Sequence, residues 1–357
     1  MTNDKLRIGI IGAGGIVRQR HMPGLAKLAD VEVVAVCNRH STSTRQFADE
    51  FGVPRTCYDW HEIVAMEDVD IVWVGTTPYM HREIVVTALN AGKHVFCQSR
   101  MCMNLDEARQ IAAVAAEYPH RVLRFCPPPM GMAGDRTMQR LLQQERFVGD
   151  VRQLTLTSVS GVLLDPEVPL GWRLEEKQSG QNALTLGIYL EVLERWFGRI
   201  RRVTAVNAIW TKQRAHPETG LPTPVEIPES VNIIAEYPNG AVGVLLFNGV
   251  SSHGPSDHLA VHGSDGTLVY DFSADETAEQ IEGAKRGAET MSAIPIPEDE
   301  RRAWTVEADF IQAVRAGQDT ADSILPDVKA GLSYMAAIDA IYRSAGTGRS
   351  IDVPAIE

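Results

Sequence analysis

The sequence predicts a two-domain α/β protein, a doubly wound parallel sheet followed by a domain on an open, mostly antiparallel sheet. Three observations predict it. Over the first third, short runs that are apolar on both faces alternate with segments of helical period. At 127–129 three consecutive prolines stop that rhythm. Beyond them, apolar and polar residues alternate in short segments joined by hairpin turns, which is the pattern of strands buried on one face only.

In order, the first domain reads as strand LRIGII (6–11) and helix 15–29, VEVVAVC (31–37) and helix 42–51, then VDIVWVG (69–75) and helix 80–91. KHVFC (93–97) with helix 104–117 and RVLRFC (121–126) complete it. The second domain starts with a helix at 134–145. Strand-like segments follow at 150–160, 202–211, 229–237, 240–248, 257–262 and 267–272, with YPNGAV and HGSDGTL as hairpin turns. A helix is expected at 180–197, exposed loops at 213–228 and 273–302, and two closing helices at 303–316 and 327–345. The expected boundaries are therefore 1–126 and 127–357, with the final helices free to pack back on the first domain.

The charge of -12 is spread along the chain, which argues against nucleic acid or an anionic membrane as a partner. No run of 18 apolar residues occurs, so a soluble, cytoplasmic protein is expected. Cys37, Cys57, Cys97, Cys102 and Cys126 are an odd set without a CxxC pair and read as reduced core thiols. His253, His258 and His262 lack an accompanying carboxylate set, so no metal is expected.

Residues 8–17, IGIIGAGGIV, close a strand on Gly12-x-Gly14 and open a helix. The first glycine permits a tight turn, the second lets a pyrophosphate approach backbone N–H groups, and the helix N-terminus favours the anion. Val17 replaces the third glycine of that fingerprint. At the end of the second strand, where an NAD site usually carries an acidic residue, the chain has Asn38-Arg39-His40. Loss of the carboxylate relieves repulsion of a 2′-phosphate and Arg39 can pair with it, so NADP is preferred over NAD, with both left open.

Taken together, IGIIGAGGIVRQRHMPGL, TTPYMHREIVVTALNAGKHVFC, NLDEARQIA, GWRLEEKQSGQNALTLGIYLEVLERWFG, HGSDGTLVYDF and AAIDAIYRSAGTGRSIDV resemble the Gfo/Idh/MocA family (glucose-fructose oxidoreductase, inositol dehydrogenase and relatives). The resemblance implies an N-terminal Rossmann domain and a C-terminal α/β domain whose open sheet often makes a homodimer or homotetramer. It also implies a nicotinamide cofactor and a sugar, cyclitol or related substrate. It places Gly12, Gly14, Gly15 and Ile16 at the pyrophosphate and Asn38 and Arg39 at the ribose. Thr76, Thr77, Pro78 and His81 fall in the loop flanking the nicotinamide half, with Gln98 among the cofactor-binding positions.

The departures from the family pattern fall on its chemistry. Where the family reads Glu-Lys-Pro, this chain has Gln98-Ser99-Arg100. Where it reads Asp-x-Gly-x-His, this chain has Thr185-Leu186-Gly187-Ile188-Tyr189. Oxidation of an alcohol needs a proton acceptor, and Ser99 and Thr185 are poor ones. Tyr189, its phenolate favoured by Arg100 or Lys177, is the candidate acid/base, although an aromatic packing role on the same helix competes. Trp172, Arg173 and Thr185 are candidates for substrate contact by the same resemblance. The expected function is an NAD(P)-dependent oxidoreductase of sugars or polyols with a non-standard acid/base set. The alternative is a dinucleotide-binding homologue that is silent, or one whose tightly held cofactor serves net non-redox chemistry.

Overall fold

The computed structural model describes residues 5–130, 132–254, 257–273, 275, 277–317 and 324–356. The chain forms two compact units, Met1–Pro127 with Thr305–Leu332, and Pro128–Trp304 with Ser333–Glu357.

The first unit holds β1 (Leu6–Ile11), β2 (Val31–Cys37), β3 (Arg55–Cys57), β4 (Ile71–Val74), β5 (His94–Cys97) and β6 (Leu123–Phe125). All pair in parallel, in the order β3-β2-β1-β4-β5-β6. The direction of winding reverses between β1 and β4. Their carboxyl ends therefore flank the crevice where doubly wound sheets take ligands. Ile8, Ile10, Ile71, Val72, Trp73 and Val74 are all fully buried, as strands covered on both faces require. Trp73 stacks on Phe96 at 4.0 Å and meets the edge of Phe310, from the helix Val306–Ala316, at 5.7 Å. Local sequence sets the helix starts. Asp59 and Glu62 form a capping box ahead of Trp60–Ala65, and Asn104 accepts from Glu107 N–H to begin Leu105–Glu117. The helix expected at 15–29 is shorter, a π-helical turn Val17–His21 running into Met22–Leu25.

The second unit is built on β7 (Val151–Val159), β8 (Arg202–Ala208), β9 (Gln213–Ala215), β10 (Pro222–Pro224), β11 (Ser230–Glu236), β12 (Val242–Asn248), β13 (His258–Gly263), β14 (Gly266–Asp271), β15 (Gln280–Lys285), β16 (Ser292–Ile294) and β17 (Ile351–Asp352). Nine of them form one sheet, β16-β15-β14-β13-β7-β12-β11-β8-β17, in which only β7 and β12 pair in parallel. Both expected hairpin turns join neighbouring antiparallel strands, β11 to β12 and β13 to β14.

Three expectations need correction. The stretch 213–228 is not an open loop: β9 and β10 form a ribbon there. Arg214, 2% exposed, holds it by donating to the carbonyls of Leu163, Asp165 and Val168 and to Glu229. Within 273–302 lie β15 and β16, which extend the sheet; on β15 the exposed positions Gln280, Glu282 and Lys285 are polar, so only Ile281 and Gly283 betray its buried face. The helix expected from 180 begins at Leu186, because Gly180 (φ 63°, ψ -141°) and Leu184 (φ 45°) break the helical path. From there Leu186, Tyr189, Leu190, Leu193 and Trp196 are buried, with Tyr189 against the rings of Phe247 and Phe272 and Trp196 against those of Tyr270 and Phe272. Each such burial contributes about 2 kcal/mol.

Candidate active site

At the end of β1 the chain turns through Gly12, whose φ of 87° lies in the left-handed region. A Cβ there would fall 2.6 Å from the Thr76 nitrogen and 2.8 Å from the Gly75 carbonyl carbon, so a side chain is excluded. The turn is held from the neighbouring strand. Gly12 N–H donates to the Cys37 carbonyl at 2.8 Å and Ala13 N–H to Asn38 Oδ1 at 2.6 Å. Gly14, Gly15 and Ile16 are exposed, and a Cβ on either glycine would meet nothing within 4 Å. Arg39, also exposed, follows Asn38. An open glycine turn at a helix start, with a cation beside it, fits the phosphates of a dinucleotide.

Across the crevice, Thr76 and Thr77 are half-buried and Pro78 is buried at the head of a 3₁₀ turn. The Thr76 hydroxyl is buried with no hydrogen-bond partner among the described residues, an unsatisfied donor that a bound cofactor would fit. His81 is fully buried between two carbonyls, Nδ1 at 2.9 Å from Arg100 O and Nε2 at 2.9 Å from Thr76 O. It thereby ties the loop after β4 to the loop after β5. Burial is the main cause of its lowered pKa, which outweighs the raising effect of the carbonyls.

In the loop after β5, Gln98 and Arg100 are buried and the Ser99–Arg100 peptide is cis. The Gln98 amide nitrogen meets His21 Nε2, and His21 Nδ1 faces Glu307 Oε1 at 2.5 Å. His21 and Glu307 are 0% and 2% exposed. With the amide donating, Nε2 accepts and Nδ1 carries the proton toward the carboxylate. Gln98 is thus engaged inward, on a buried histidine.

The second unit carries its own polar cluster. Thr185 directly precedes the helix Leu186–Phe197, and its hydroxyl lies 2.9 Å from that of Ser158 on β7. Tyr189, one turn on and fully buried, donates its phenol O–H to Asp257 Oδ2. The partner is a carboxylate, whereas the sequence reading expected a cation. Burial first, and then the charge of Asp257, push the phenol pKa up, opposite to the direction a phenolate base needs. Trp172 and Arg173 sit on a 3₁₀ turn with the guanidinium 4.2 Å over the indole, and Lys177 is exposed on the short helix Glu176–Ser179.

Four residues of these clusters escaped the sequence reading: His21, Glu307, Ser158 and Asp257. Asp257 had one signal, an acidic residue directly before a strand. The others had none, since His21 and Glu307 are 286 residues apart.

The family description "Oxidoreductase family, NAD-binding Rossmann fold" matches residues 6–124, and "GFO/IDH/MocA C-terminal domain" matches 136–269. Levoglucosan dehydrogenase of Pseudarthrobacter phenanthrenivorans is 23% identical, over 98% of this chain and 99% of that enzyme. A 1,5-anhydro-D-fructose reductase of Ensifer adhaerens is 33% identical over 49% of this chain and 50% of its own length. Among solved structures, a levoglucosan dehydrogenase in complex with NADH and L-sorbose superposes with a TM-score of 0.84 at 21% identity, covering 99% of this chain and all (100%) of that one. At that identity the likeness establishes the fold. Among the described residues no helix is long and apolar enough to cross a membrane.

Proposed function

This chain belongs to the Gfo/Idh/MocA family of oxidoreductases with an NAD-binding Rossmann fold, and we propose on that footing that it is an NAD(P)-dependent oxidoreductase of a sugar, cyclitol or related polyol or keto-sugar. The observation that carries the reading is the glycine turn at Gly12, closed to side chains behind and open in front of Gly14 and Gly15. Gly12, Gly14, Gly15 and Ile16 hold the pyrophosphate in this reading, Asn38 and Arg39 the adenosine ribose, and Thr76, Thr77, Pro78, His81 and Gln98 the nicotinamide half. When bound, the cofactor supplies a hydride acceptor or donor. Residues 1–126 serve as the NAD(P)-binding domain and 127–357 as the substrate and oligomerisation domain. The sugar class is supported by the relatives, one named for levoglucosan and one for 1,5-anhydro-D-fructose.

NADP is the preferred cofactor, because Arg39 is exposed beside an Asn38 that brings no negative charge. Titration with both reduced cofactors tests this. NADPH is expected to bind more tightly, and Arg39→Ala to weaken NADPH by about tenfold while leaving NADH nearly unchanged. Tighter NADH binding by the unaltered protein sinks the preference. The acid/base set is non-standard: Ser99, Thr185 and Tyr189 stand where the family has Lys, Asp and His, with Arg100 and Lys177 as the nearby cations in sequence. A silent or net non-redox homologue is the second reading, favoured by the phenol of Tyr189 being held protonated. Cofactor absorbance followed with levoglucosan, L-sorbose, 1,5-anhydro-D-fructose and myo-inositol separates the two.

Assembly as a homodimer or homotetramer through the second sheet is supported by its apolar outer face. Val206, Ile234, Val242, Val244 and Leu246 are all at least 36% exposed on the adjacent strands β8, β11 and β12. A cytoplasmic location is supported by the five cysteines, all free and buried.

A further inference from the structure

β13 runs antiparallel to β7, and the pairing of His258 with Thr157 lies at its start. One residue further along both strands stand Asp257 and Ser158. Sheet register thus brings a carboxylate level with a hydroxyl that already touches Thr185 at 2.9 Å. Tyr189, four residues after Thr185 on the same helix, faces the same way and completes the group.

The four side chains differ in access. Tyr189 is fully buried, its ring 5.0 Å from that of Phe272 and 6.2 Å from that of Phe247, and its polar tip donates to Asp257 with the Ser158 hydroxyl also in hydrogen-bond contact. Asp257 is half-buried, and among the described residues Tyr189 is the only group that donates to its carboxylate. Oδ2 is therefore fixed by a phenol, while Oδ1 keeps its lone pairs. A carboxylate of this kind accepts from hydroxyl groups, and Ser158 and Thr185 beside it can both donate and accept, a set that matches the hydroxyls of a polyol.

We propose that Asp257 is the substrate-contacting carboxylate of this chain, its Oδ1 accepting a hydrogen bond from a polyol or sugar hydroxyl and taking that proton when the alcohol is oxidised. The inference rests on the function proposed above. The O–H bond breaks and its proton passes to Asp257, while the hydride of the same carbon leaves to oxidised nicotinamide dinucleotide, the co-substrate. The alcohol loses two electrons and becomes a carbonyl. Tyr189 is a positioning residue, holding Oδ2 so that Oδ1 is presented, and the carboxylate stands in for the bases absent from positions 185 and 189.

The test compares the full-length protein with Asp257→Asn, Tyr189→Phe and, as control, Asp271→Asn. Asp271 is a carboxylate on β14 that meets His258 at 2.7 Å. Binding of levoglucosan, L-sorbose, 1,5-anhydro-D-fructose and myo-inositol is read by calorimetry in the presence of cofactor, turnover by absorbance across pH, and folding by circular dichroism. Asp257→Asn is expected to weaken sugar binding by about 10- to 100-fold and turnover by at least ~10²-fold while staying folded and binding cofactor. Tyr189→Phe is expected to leave binding within a few-fold but to move the acid limb of the pH profile to higher pH, because the carboxylate loses its donor. Asp271→Asn should change neither. Turnover by the unaltered protein that survives in Asp257→Asn overturns the inference and leaves the proposed function standing. A protein that neither binds nor turns over any of the four compounds overturns both.

Discussion

Two clusters in which an aromatic ring hydrogen-bonds a carboxylate, one in each unit, differ in access. In the first unit His21, Glu307 and Gln98 are each under a tenth exposed, and both ring nitrogens are engaged. In the second, the Tyr189 ring is buried but Asp257 and Thr185 are half-buried. A closed network uses its donors and acceptors internally and so fixes a loop in place. An open one leaves an acceptor for a visiting hydroxyl. The contrast assigns architecture to His21 and chemistry to Asp257, although an imidazole is the more familiar catalytic group.

The largest expected effect bears on the closed cluster. Glu307→Ala removes a buried carboxylate from a fully buried imidazole and should destabilise the protein by about 3 kcal/mol in denaturant unfolding. A loss under about 1 kcal/mol would show that water already shares the site.

The smallest effect asks whether closed clusters also occur in the second unit. On the helix Leu186–Phe197, Glu191 and Glu194 have pKa values raised to about 7, burial being the main cause in each. Arg195, which meets Glu191 at 3.0 Å and Asp135 at 2.9 Å, offsets part of that at Glu191, and Ser333 and Arg199 offset part of it at Glu194. The sign is opposite to that of an ordinary salt-bridged carboxylate. The folded state binds these protons more tightly than the unfolded one, so their contribution is present below the unfolded pKa of 4.5 and is lost as pH rises to about 7. Glu194→Gln should flatten that decline, read from thermal unfolding at a series of pH values. A slope that the substitution leaves unchanged would place the glutamate in contact with solvent.

What was legible in the sequence was whatever a single stretch of chain encodes. Apolar runs with helical gaps gave five of the six strands of the first unit, all but the three-residue β3, and Gly12 announced its turn because only glycine adopts that backbone so close to Thr76. The hairpin turns at Asn239-Gly240 and Asp265-Gly266 fixed two strand pairs. What was hidden depends on register and on long-range pairing. Arg214 looks like a surface residue of a proline-rich loop until Glu229 and three carbonyls are brought to it. Asp257 gains meaning only when β13 is laid beside β7, strands separated by about a hundred residues of chain. The substitutions at 98–100, 185 and 189 were readable as losses, whereas the carboxylate next to two of them was not.

The five cysteines also have a practical consequence. All are buried, all lie in the first unit, and burial is the main cause that raises the pKa of each, Cys37 to about 11. A thiol reagent can therefore modify the native protein only when that unit opens, and the second unit gives no background signal. The labelling rate is a clock for one half of the molecule, and cofactor, which is proposed to bind that half, should slow it.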